Sequence, residues 1–193
     1  MRLTREKTAE NRAKVIDAAL GLFQRRGFSG VGVAELMGAA GLTHGGFYNH
    51  FASKADLESE ACALAFERAL GAIGKVAARP AGDERRAAMR LYVERYLSAR
   101  ARDAAGARCP MVAFGTDVSR ESREVQARYA QGLRAYLDLM ATALEADLTT
   151  ARATMAELVG ALSLARSVAR DDRALSDNIL DSAKERILAR LDH

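Results

Sequence analysis

Hydrogen-bonding side chains are concentrated in one short segment, and their types suit the binding of phosphate groups. Hydroxyl, imidazole, amide and ammonium groups occur between Thr43 and Lys54, around the glycine pair Gly45-Gly46. Such groups make many of the hydrogen bonds by which proteins hold phosphate and sugar. Glycine also lets a backbone approach a partner closely, because it has no side chain to collide. The alternative is that the two glycines belong to an ordinary loop.

The net charge of the chain lies entirely at its N-terminal end. Between Met1 and Lys54 the sequence has eight Lys/Arg and four Asp/Glu, which accounts for the whole formal charge of +4. The remaining residues carry equal numbers of basic and acidic side chains. A basic end on a neutral body favours binding to a polyanion, although a solvated basic end without a partner has the same composition.

Groups that could catalyse a reaction or hold a metal do not form a recognisable pattern. The three histidines and two cysteines show neither the ligand spacing of a zinc site nor a nucleophile paired with a base. The acidic pairs Asp83-Glu84 and Asp171-Asp172 lie at predicted helix starts, where carboxylates stabilise the helix dipole. We therefore expect no enzyme, no metal and no cofactor. Neither a signal peptide nor a membrane-spanning run is present, so we expect a cytoplasmic protein.

Apolar periodicity predicts helices on both sides of the polar segment. A first helix is predicted over residues 8–26 and a short helix over residues 33–39. Gly41 ends the short helix in the turn Ala40-Gly41-Leu42, and Thr43 is placed to cap a second short helix over residues 44–50. Two short helices joined by such a turn form a helix-turn-helix, whose second helix enters the major groove of DNA.

The residues around this motif resemble the DNA-binding domain of the TetR family of transcriptional regulators. The resemblance covers about the first third of the chain, and its most specific block runs from Gly45 to Leu57. The segments that carry it are Ala18–Phe23, Gly27-Phe28, Ala39–Thr43 and Gly45–Leu57. It implies that Phe47 and Phe51 belong to the core. It also implies DNA contacts from Thr43, His44, Gly45, Tyr48, Asn49, His50 and Lys54, of which the first three lie nearest the bases.

Two N-terminal features add to this comparison. The family usually has Thr or Ser capping the first short helix, where this chain has Gly32, so a hydroxyl contact to phosphate is missing. Arg2, Arg5 and Lys7 are placed in an arm before the first predicted helix, from which they could contact phosphates or the minor groove. The alternative is a frayed tail.

The rest of the sequence predicts further helices, which makes the fold class all-α with about nine helices in total. Ser53 is expected to cap a helix that runs to Ala77. We expect a DNA-binding domain in residues 1–54 and a helical effector-sensing and dimerisation domain in residues 55–193. The later helices are predicted over residues 83–103, 110–118, 122–147, 149–169 and 176–191.

The resemblance implies a two-fold homodimer that binds a near-palindromic operator. The last two predicted helices carry apolar and small-residue stripes that would suit a four-helix bundle between two chains. The alternative is that these stripes pack only within one chain. The expected interface consists of Met155, Ala156, Val159, Gly160, Ser163, Leu180, Ala183 and Ile187.

The resemblance also implies that a small effector shifts the population of the protein to a form with lower operator affinity. Apolar and aromatic residues of the central helices are candidates for the wall of its pocket, and the alternative for each is plain core. These candidates are Phe66, Met89, Tyr92, Tyr96, Cys109, Met111, Phe114, Tyr129 and Leu137.

Cys109 suggests a second means of sensing. It follows Arg108 and precedes Pro110, and both a positive charge and a helix N-terminus make a thiol more reactive. We therefore hypothesise that Cys109 senses oxidants or electrophiles, with an inert small hydrophobe as the alternative, while Cys62 is expected in the core. The resulting prediction is a sequence-specific repressor released by a small organic ligand or by chemistry at Cys109. Its rival is an architectural DNA-binding protein without sequence preference.

Overall fold

The computed structural model describes residues 5–192, and within this range the chain is helical, without a strand. The predicted all-α class is confirmed. None of the helices in this range is long and apolar enough to cross a membrane. Short 3-10 helices cover His44–Asn49 and Val118–Arg120. The α-helices are α1 (Arg5–Arg26), α2 (Val33–Ala39), α3 (Lys54–Ala77), α4 (Asp83–Tyr96), α5 (Ala99–Asp103), α6 (Pro110–Phe114), α7 (Arg123–Leu144), α8 (Leu148–Val168) and α9 (Arg173–Leu191).

The chain packs as two compact units whose division does not follow the order of the sequence. The first unit contains the described residues up to Glu67 together with Arg108–Gly132. The second unit contains Arg68–Ala107 and the described residues from Leu133 onward. Both α3 and α7 begin in the first unit and end in the second. The functional boundary after Lys54 stays a proposal.

Aromatic residues form the centre of the first unit. The apolar face of α1 packs against α2 and α6, and Phe28 follows α1 in the loop that leads to α2. The Phe28 ring lies 5.1 Å from Phe23 and 4.7 Å from Phe114, measured between ring centroids. All three side chains are fully buried. Residues from α6 therefore complete the core that α1 and α2 begin.

Several predicted helix bounds are wrong: the helix predicted over residues 122–147 ends at Leu144, and the one predicted over residues 176–191 begins at Arg173. Three further differences concern the first, fourth and sixth α-helices. α1 already begins at Arg5, where Glu6 lies in its first turn and favours the helix dipole. The predicted helix over residues 83–103 breaks after Tyr96, because Ser98 caps α5 by accepting a hydrogen bond from the Ala101 amide at 3.1 Å. The predicted piece over residues 110–118 ends as an α-helix at Phe114.

The second unit is held by a polar network beside the packed pair α8 and α9. Arg102, in α5, has a fully buried side chain that pairs with Asp103 at 2.9 Å and with Asp177. Arg166 donates hydrogen bonds to the carbonyls of Ala101, Arg102 and Ala104, which lie at the C-terminal end of α5. These bonds satisfy carbonyls that a helix end leaves without internal partners, and they fix α5 to α8.

Candidate nucleic-acid interface

The turn between the two short helices has the geometry that the sequence predicts. Gly41 has φ +72°, in the left-handed region that favours glycine. The Gly41 amide donates to the carbonyl of Gly38 at 3.0 Å, and the Leu42 amide donates to the carbonyl of Met37 at 2.9 Å. Leu42 is half-buried against the aromatic core. The turn thereby directs the chain from α2 into the next short helix.

The second short helix is a 3-10 helix from His44 to Asn49, rather than the predicted α-helix to residue 50. Two glycines lower the helix propensity of this segment, and short 3-10 pieces are common where an α-helix is not sustained. Thr43 occupies the N-cap position with extended backbone, but its side chain makes no capping hydrogen bond. The segment, hereafter the 44–49 helix, has little local stabilisation of its own.

The 44–49 helix has one buried anchor and an exposed polar side. Phe47 is fully buried, and Phe51 packs near it with ring centroids 5.5 Å apart, so the expectation that both are core is confirmed. Tyr48 is 74% exposed. The other exposed residues among the predicted contacts are Thr43, His44, Gly45 and Asn49. This side presents hydroxyl, imidazole and amide groups to solvent, as hydrogen bonding to a duplex requires.

Gly45 and Gly46 are not required by packing within the described residues. A Cβ added at Gly45 would meet no atom within 4 Å, and one at Gly46 would make only an ordinary contact of 3.6 Å with Met37. Neither glycine has a positive φ. The fold itself would therefore accept a side chain at either position.

Lys54, a predicted DNA contact, is already engaged within the first unit, and His50, another predicted contact, is partly withdrawn from solvent. The Lys54 ammonium donates to the carbonyl of Phe28 at 2.7 Å and pairs with Glu58 at 3.2 Å. Burial raises the pKa of the Glu58 carboxyl, and Lys54 offsets part of that shift. The half-buried His50 has a buried Nδ1 without a hydrogen-bond partner among the described residues. DNA contact by Lys54 would compete with its bonds to the Phe28 carbonyl and to Glu58.

Arg12 is a residue at this site that sequence reasoning missed. Its guanidinium donates to the carbonyl of His50 at 3.3 Å and to the carboxylate of Glu60 at 3.0 Å. It also lies 4.9 Å from the ring centroid of Phe51. No local pattern marks Arg12, because its hydrogen-bond partners lie 38 and 48 residues away in the sequence.

The predicted N-terminal arm is only partly within the described residues. Arg2 lies outside them. Arg5 and Lys7 belong to α1, so the prediction that they precede the first helix is wrong, and Lys7 pairs with Glu10 one helical turn away at 3.1 Å. Gly32 is the N-cap of α2 and provides no side-chain cap, as its residue type requires.

The predicted effector residues fall into both compact units. In the first unit, Phe114 stacks in the aromatic core, and Phe66 packs edge-on against Tyr129 with centroids 5.2 Å apart. Burial raises the pKa of Tyr129 to about 12. The first-unit candidates are Phe66, Cys109, Met111, Phe114 and Tyr129, and the second-unit candidates are Met89, Tyr92, Tyr96 and Leu137.

Within the second unit, two of the aromatic candidates lie together. Tyr92 and Tyr96 have ring centroids 6.1 Å apart, and Met89 on the same helix is fully buried. The Tyr92 hydroxyl shares a hydrogen bond with the hydroxyl of Tyr136, a buried residue that the sequence analysis did not select. A polar contact inside an aromatic cluster is the kind of feature that orients a ligand, and it also serves an ordinary core.

The two cysteines have different surroundings. Cys109 is the N-cap of α6, with Pro110 at the first helical position as predicted, and its half-buried side chain makes no capping hydrogen bond. Cys62 is fully buried, and burial raises its pKa to about 12. The expectation that Cys62 belongs to the core is confirmed. Cys109 is the more accessible thiol.

The residues expected in a dimer interface separate into an inner and an outer set. Met155, Leu180, Ala183 and Ile187 are buried within the chain, where α8 packs against α9, so they offer little surface to a second copy. The outer set lies on α8 and consists of the exposed Ala156 and Ser163 and the half-buried Val159 and Gly160. Leu164, which the sequence analysis did not select, is 60% exposed beside them.

The first third of the chain matches known regulatory proteins in sequence. Residues 15–61 match the family described as bacterial regulatory proteins, tetR family. The chain is 42% identical over 59 residues to the HTH-type transcriptional regulator AcrR of Shigella flexneri. It is 40% identical over 57 residues to the HTH-type transcriptional regulator TtgR of Pseudomonas putida. These matches cover 31% and 30% of this chain and only 27% of the length of either relative.

Solved structures extend the likeness in fold to nearly the whole chain. The reduced form of Escherichia coli NemR has a TM-score of 0.78 at 22% identity, over 94% of this chain and 95% of that one. A TetR-family regulator from Agrobacterium tumefaciens has a TM-score of 0.76 at 17% identity, over 95% and 98% of the two chains. Residues 15–61 thus match the tetR family of bacterial regulatory proteins, and nearly the whole chain shares the fold of these solved structures.

Proposed function

We propose that the chain is a transcriptional repressor that binds a near-palindromic operator as a homodimer. The observation that carries this proposal is the 44–49 helix, whose polar side is exposed while Phe47 anchors it in the core. A recognition element needs this division, because the anchor fixes the side chains that contact the groove. The names of AcrR and TtgR as HTH-type transcriptional regulators support the same class of function and argue against an enzyme.

The proposed contacts divide by distance from the bases. Thr43, His44 and Gly45 lie at the start of the 44–49 helix, the end that faces base edges in a helix-turn-helix. Tyr48 and Asn49 follow on the exposed side and are proposed to contact phosphates. The open space around Gly45 supports a close backbone approach to DNA. His50 and Lys54 are proposed as weaker contacts, because His50 is half-buried and the Lys54 ammonium already binds the carbonyl of Phe28.

Dimerisation is proposed to use the outer face of α8, where exposed small residues lie beside Leu164. Small side chains allow close helix approach, and an exposed leucine provides apolar area to bury. This proposal narrows the predicted interface to Ala156, Val159, Gly160 and Ser163, with Leu164 added.

Two kinds of signal are proposed to release the repressor. One is a small organic ligand, supported by the aromatic cluster of Tyr92, Tyr96 and Tyr136. The other is an electrophile or oxidant acting at Cys109, supported by the position of this thiol at the start of α6, which packs against α1 in the first unit. A modification there would alter the packing of the unit that holds the helix-turn-helix. Such a regulator would work in the bacterial cytoplasm, where the DNA lies.

Titration of labelled duplexes with purified protein tests the proposal. The probe is a duplex that the wild-type chain selects from a random-sequence library, compared with unselected duplex. Tyr48→Phe is expected to weaken binding to both probes, and His44→Ala is expected to change which sequences are preferred. Ser182→Ala is the matched control, because it removes an exposed hydroxyl from α9. Equal affinity of the wild type for both probes would contradict regulation and favour the architectural alternative.

A further inference from the structure

We infer that Arg12 is a positioning residue that holds the C-terminal end of the 44–49 helix in the orientation needed to read bases. The inference rests on the proposed function, because it concerns how the proposed recognition element is held. Arg12 does not belong to the set of proposed DNA contacts. Its role is to join three parts of the first unit through one side chain.

The 44–49 helix needs such support because its own structure supplies little. A 3-10 helix has poorer hydrogen-bond geometry than an α-helix, and two glycines add backbone freedom. The Thr43 side chain makes no cap at its N-terminal end. Phe47 and, just beyond the C-terminal end, Phe51 anchor the segment in the core, but apolar packing is not directional, so a directed hydrogen bond adds a restraint on orientation.

Arg12 supplies a directed side-chain restraint at the C-terminal end. From α1, its Nε donates to the carbonyl of His50, directly after the 44–49 helix, at 3.3 Å. Its Nη1 donates to Glu60 in α3 at 3.0 Å. The guanidinium lies over the ring of Phe51 at 4.9 Å from the centroid. One planar group therefore fixes the end of the recognition element between the preceding and the following long helix.

The chemistry of this restraint is specific to arginine. A guanidinium has several donors in a fixed fork and can stack on an aromatic ring while it donates in its own plane. Lysine has the same charge but a single ammonium, which cannot reproduce both directed bonds and the stacking. Because the Arg12 and Glu60 side chains are 34% and 37% exposed, their ion pair adds little to global stability. The expected effect of losing it is therefore on orientation.

The test compares Arg12→Gln, Arg12→Lys and Glu60→Gln with the control Lys14→Gln. Lys14 is an exposed cation on the same helix, so its loss reproduces the change in charge. For each variant, affinity is measured for the duplex selected by the wild type from a random library and for unselected duplex. The ratio of the two affinities reports base reading, whereas a loss of phosphate attraction lowers both affinities alike. Thermal unfolding by circular dichroism monitors the fold.

Arg12→Gln and Arg12→Lys are expected to lower this ratio at least about tenfold, equivalent to about 1.4 kcal/mol. Lys14→Gln is expected to leave the ratio unchanged. If Arg12→Gln fails to fold, Arg12→Lys and Glu60→Gln decide the question in the same assay. An unchanged ratio in the folded Arg12 variants would overturn the inference and leave the proposed function standing.

Amide hydrogen exchange keeps the two proposals separate if the wild type shows no preference for any duplex. The absence of any preference in the wild type would by itself refute the proposed function. Exchange at residues 44–50 is then expected to be faster in Arg12→Gln than in Lys14→Gln, because a restraint on the segment has been removed. Equal exchange in the two variants would overturn the positioning role as well.

Discussion

Phe114 stacks on Phe28 with ring centroids 4.7 Å apart, although Phe114 belongs to α6 and Phe28 lies between α1 and α2. Both rings are fully buried. The unit that holds the helix-turn-helix is therefore not complete without residues 108–132. Because α6 begins at Pro110, directly after Cys109, the proposed thiol sensor adjoins a helix that shares a core with the proposed recognition element.

Truncating the Phe114 ring tests this shared core. Phe114→Ala is expected to lower the free energy of unfolding by about 3–5 kcal/mol, because it removes a buried aromatic ring and leaves a cavity. Urea denaturation followed by circular dichroism measures the change. Tyr48→Ala is the matched control, since Tyr48 is 74% exposed and its loss should cost no more than about 0.5 kcal/mol. A loss below about 1 kcal/mol for Phe114→Ala would contradict the assigned packing.

The two thiols are expected to react at very different rates. At pH 8 the buried Cys62, with its pKa raised to about 12, is almost entirely protonated, whereas Cys109 is accessible. Because the thiolate is the nucleophile, a disulfide reagent should modify one thiol per folded chain and both after denaturation. Cys109→Ser should abolish the reaction of the folded chain, while Cys62→Ser preserves it.

Alkylation then tests the sensor proposal itself. Alkylated wild-type protein is expected to bind the selected duplex more weakly than untreated wild type. The Cys109→Ser variant should bind this duplex with the same affinity before and after the alkylating treatment. Unchanged affinity of the alkylated wild type would remove Cys109 from the proposed mechanism. Rapid reaction of Cys62 in the folded chain would contradict its burial.

The stability of the second unit is expected to depend on pH through Asp103. Hydrogen bonds from Arg102 and Arg173 hold the pKa of the Asp103 carboxyl well below its usual range. A lowered pKa in the folded state stabilises the fold fully above the unfolded-state pKa of about 3.9, and this contribution is lost as the pH falls toward the folded-state value. Asp103→Asn should therefore reduce stability most at neutral pH.

Urea unfolding between pH 7 and pH 3 measures this dependence. The difference in stability between the wild type and Asp103→Asn is expected to shrink below about pH 4. Asp171→Asn is the control, because Asp171 is an exposed carboxylate outside the network of Arg102, Asp103 and Arg173. A difference that stays constant over this range would show that the network does not depend on the charge of Asp103.

The proposed dimer interface is tested by placing a charge at Leu164, the exposed apolar residue on the outer face of α8. Leu164→Arg is expected to shift the protein toward monomer in sedimentation velocity experiments, because a buried unpaired charge is costly. Leu91→Arg is the matched control, since Leu91 is also an exposed leucine, at 45%, but lies on α4. If Leu164→Arg dimerises like the wild type, the outer face of α8 is not the interface.

Strong local signals made part of this structure predictable from the sequence. The bounds of α2 and α3 agree with prediction, because Gly41 ends one helix and Ser53 starts the other. The Ser53 hydroxyl accepts a hydrogen bond from the Asp56 amide at 3.1 Å, as capping requires. The resemblance in this region also placed Phe47 and Phe51 in the core.

Other features depend on residues distant in the sequence and were not predictable. Apolar periodicity continues across Ser98, so it could not reveal the break that the Ser98 cap introduces between α4 and α5. The resemblance implied a DNA contact for Lys54, but only the fold shows that the carbonyl of Phe28 already binds its ammonium. The role of Arg12 and the stacking of Phe114 likewise arise from pairings that no local pattern specifies.

Selection of bound duplexes from a random-sequence library by the wild-type protein, followed by sequencing, tests the central claim most directly. The account predicts enrichment of one near-palindromic sequence, bound about a thousandfold or more above random DNA. If a dimer neutralises about eight phosphates, the slope of log affinity against log salt should be about −7. A bound pool without any enriched sequence, or an enriched sequence whose selection is indifferent to His44→Ala and Thr43→Ala, would contradict the assignment of base reading to the 44–49 helix.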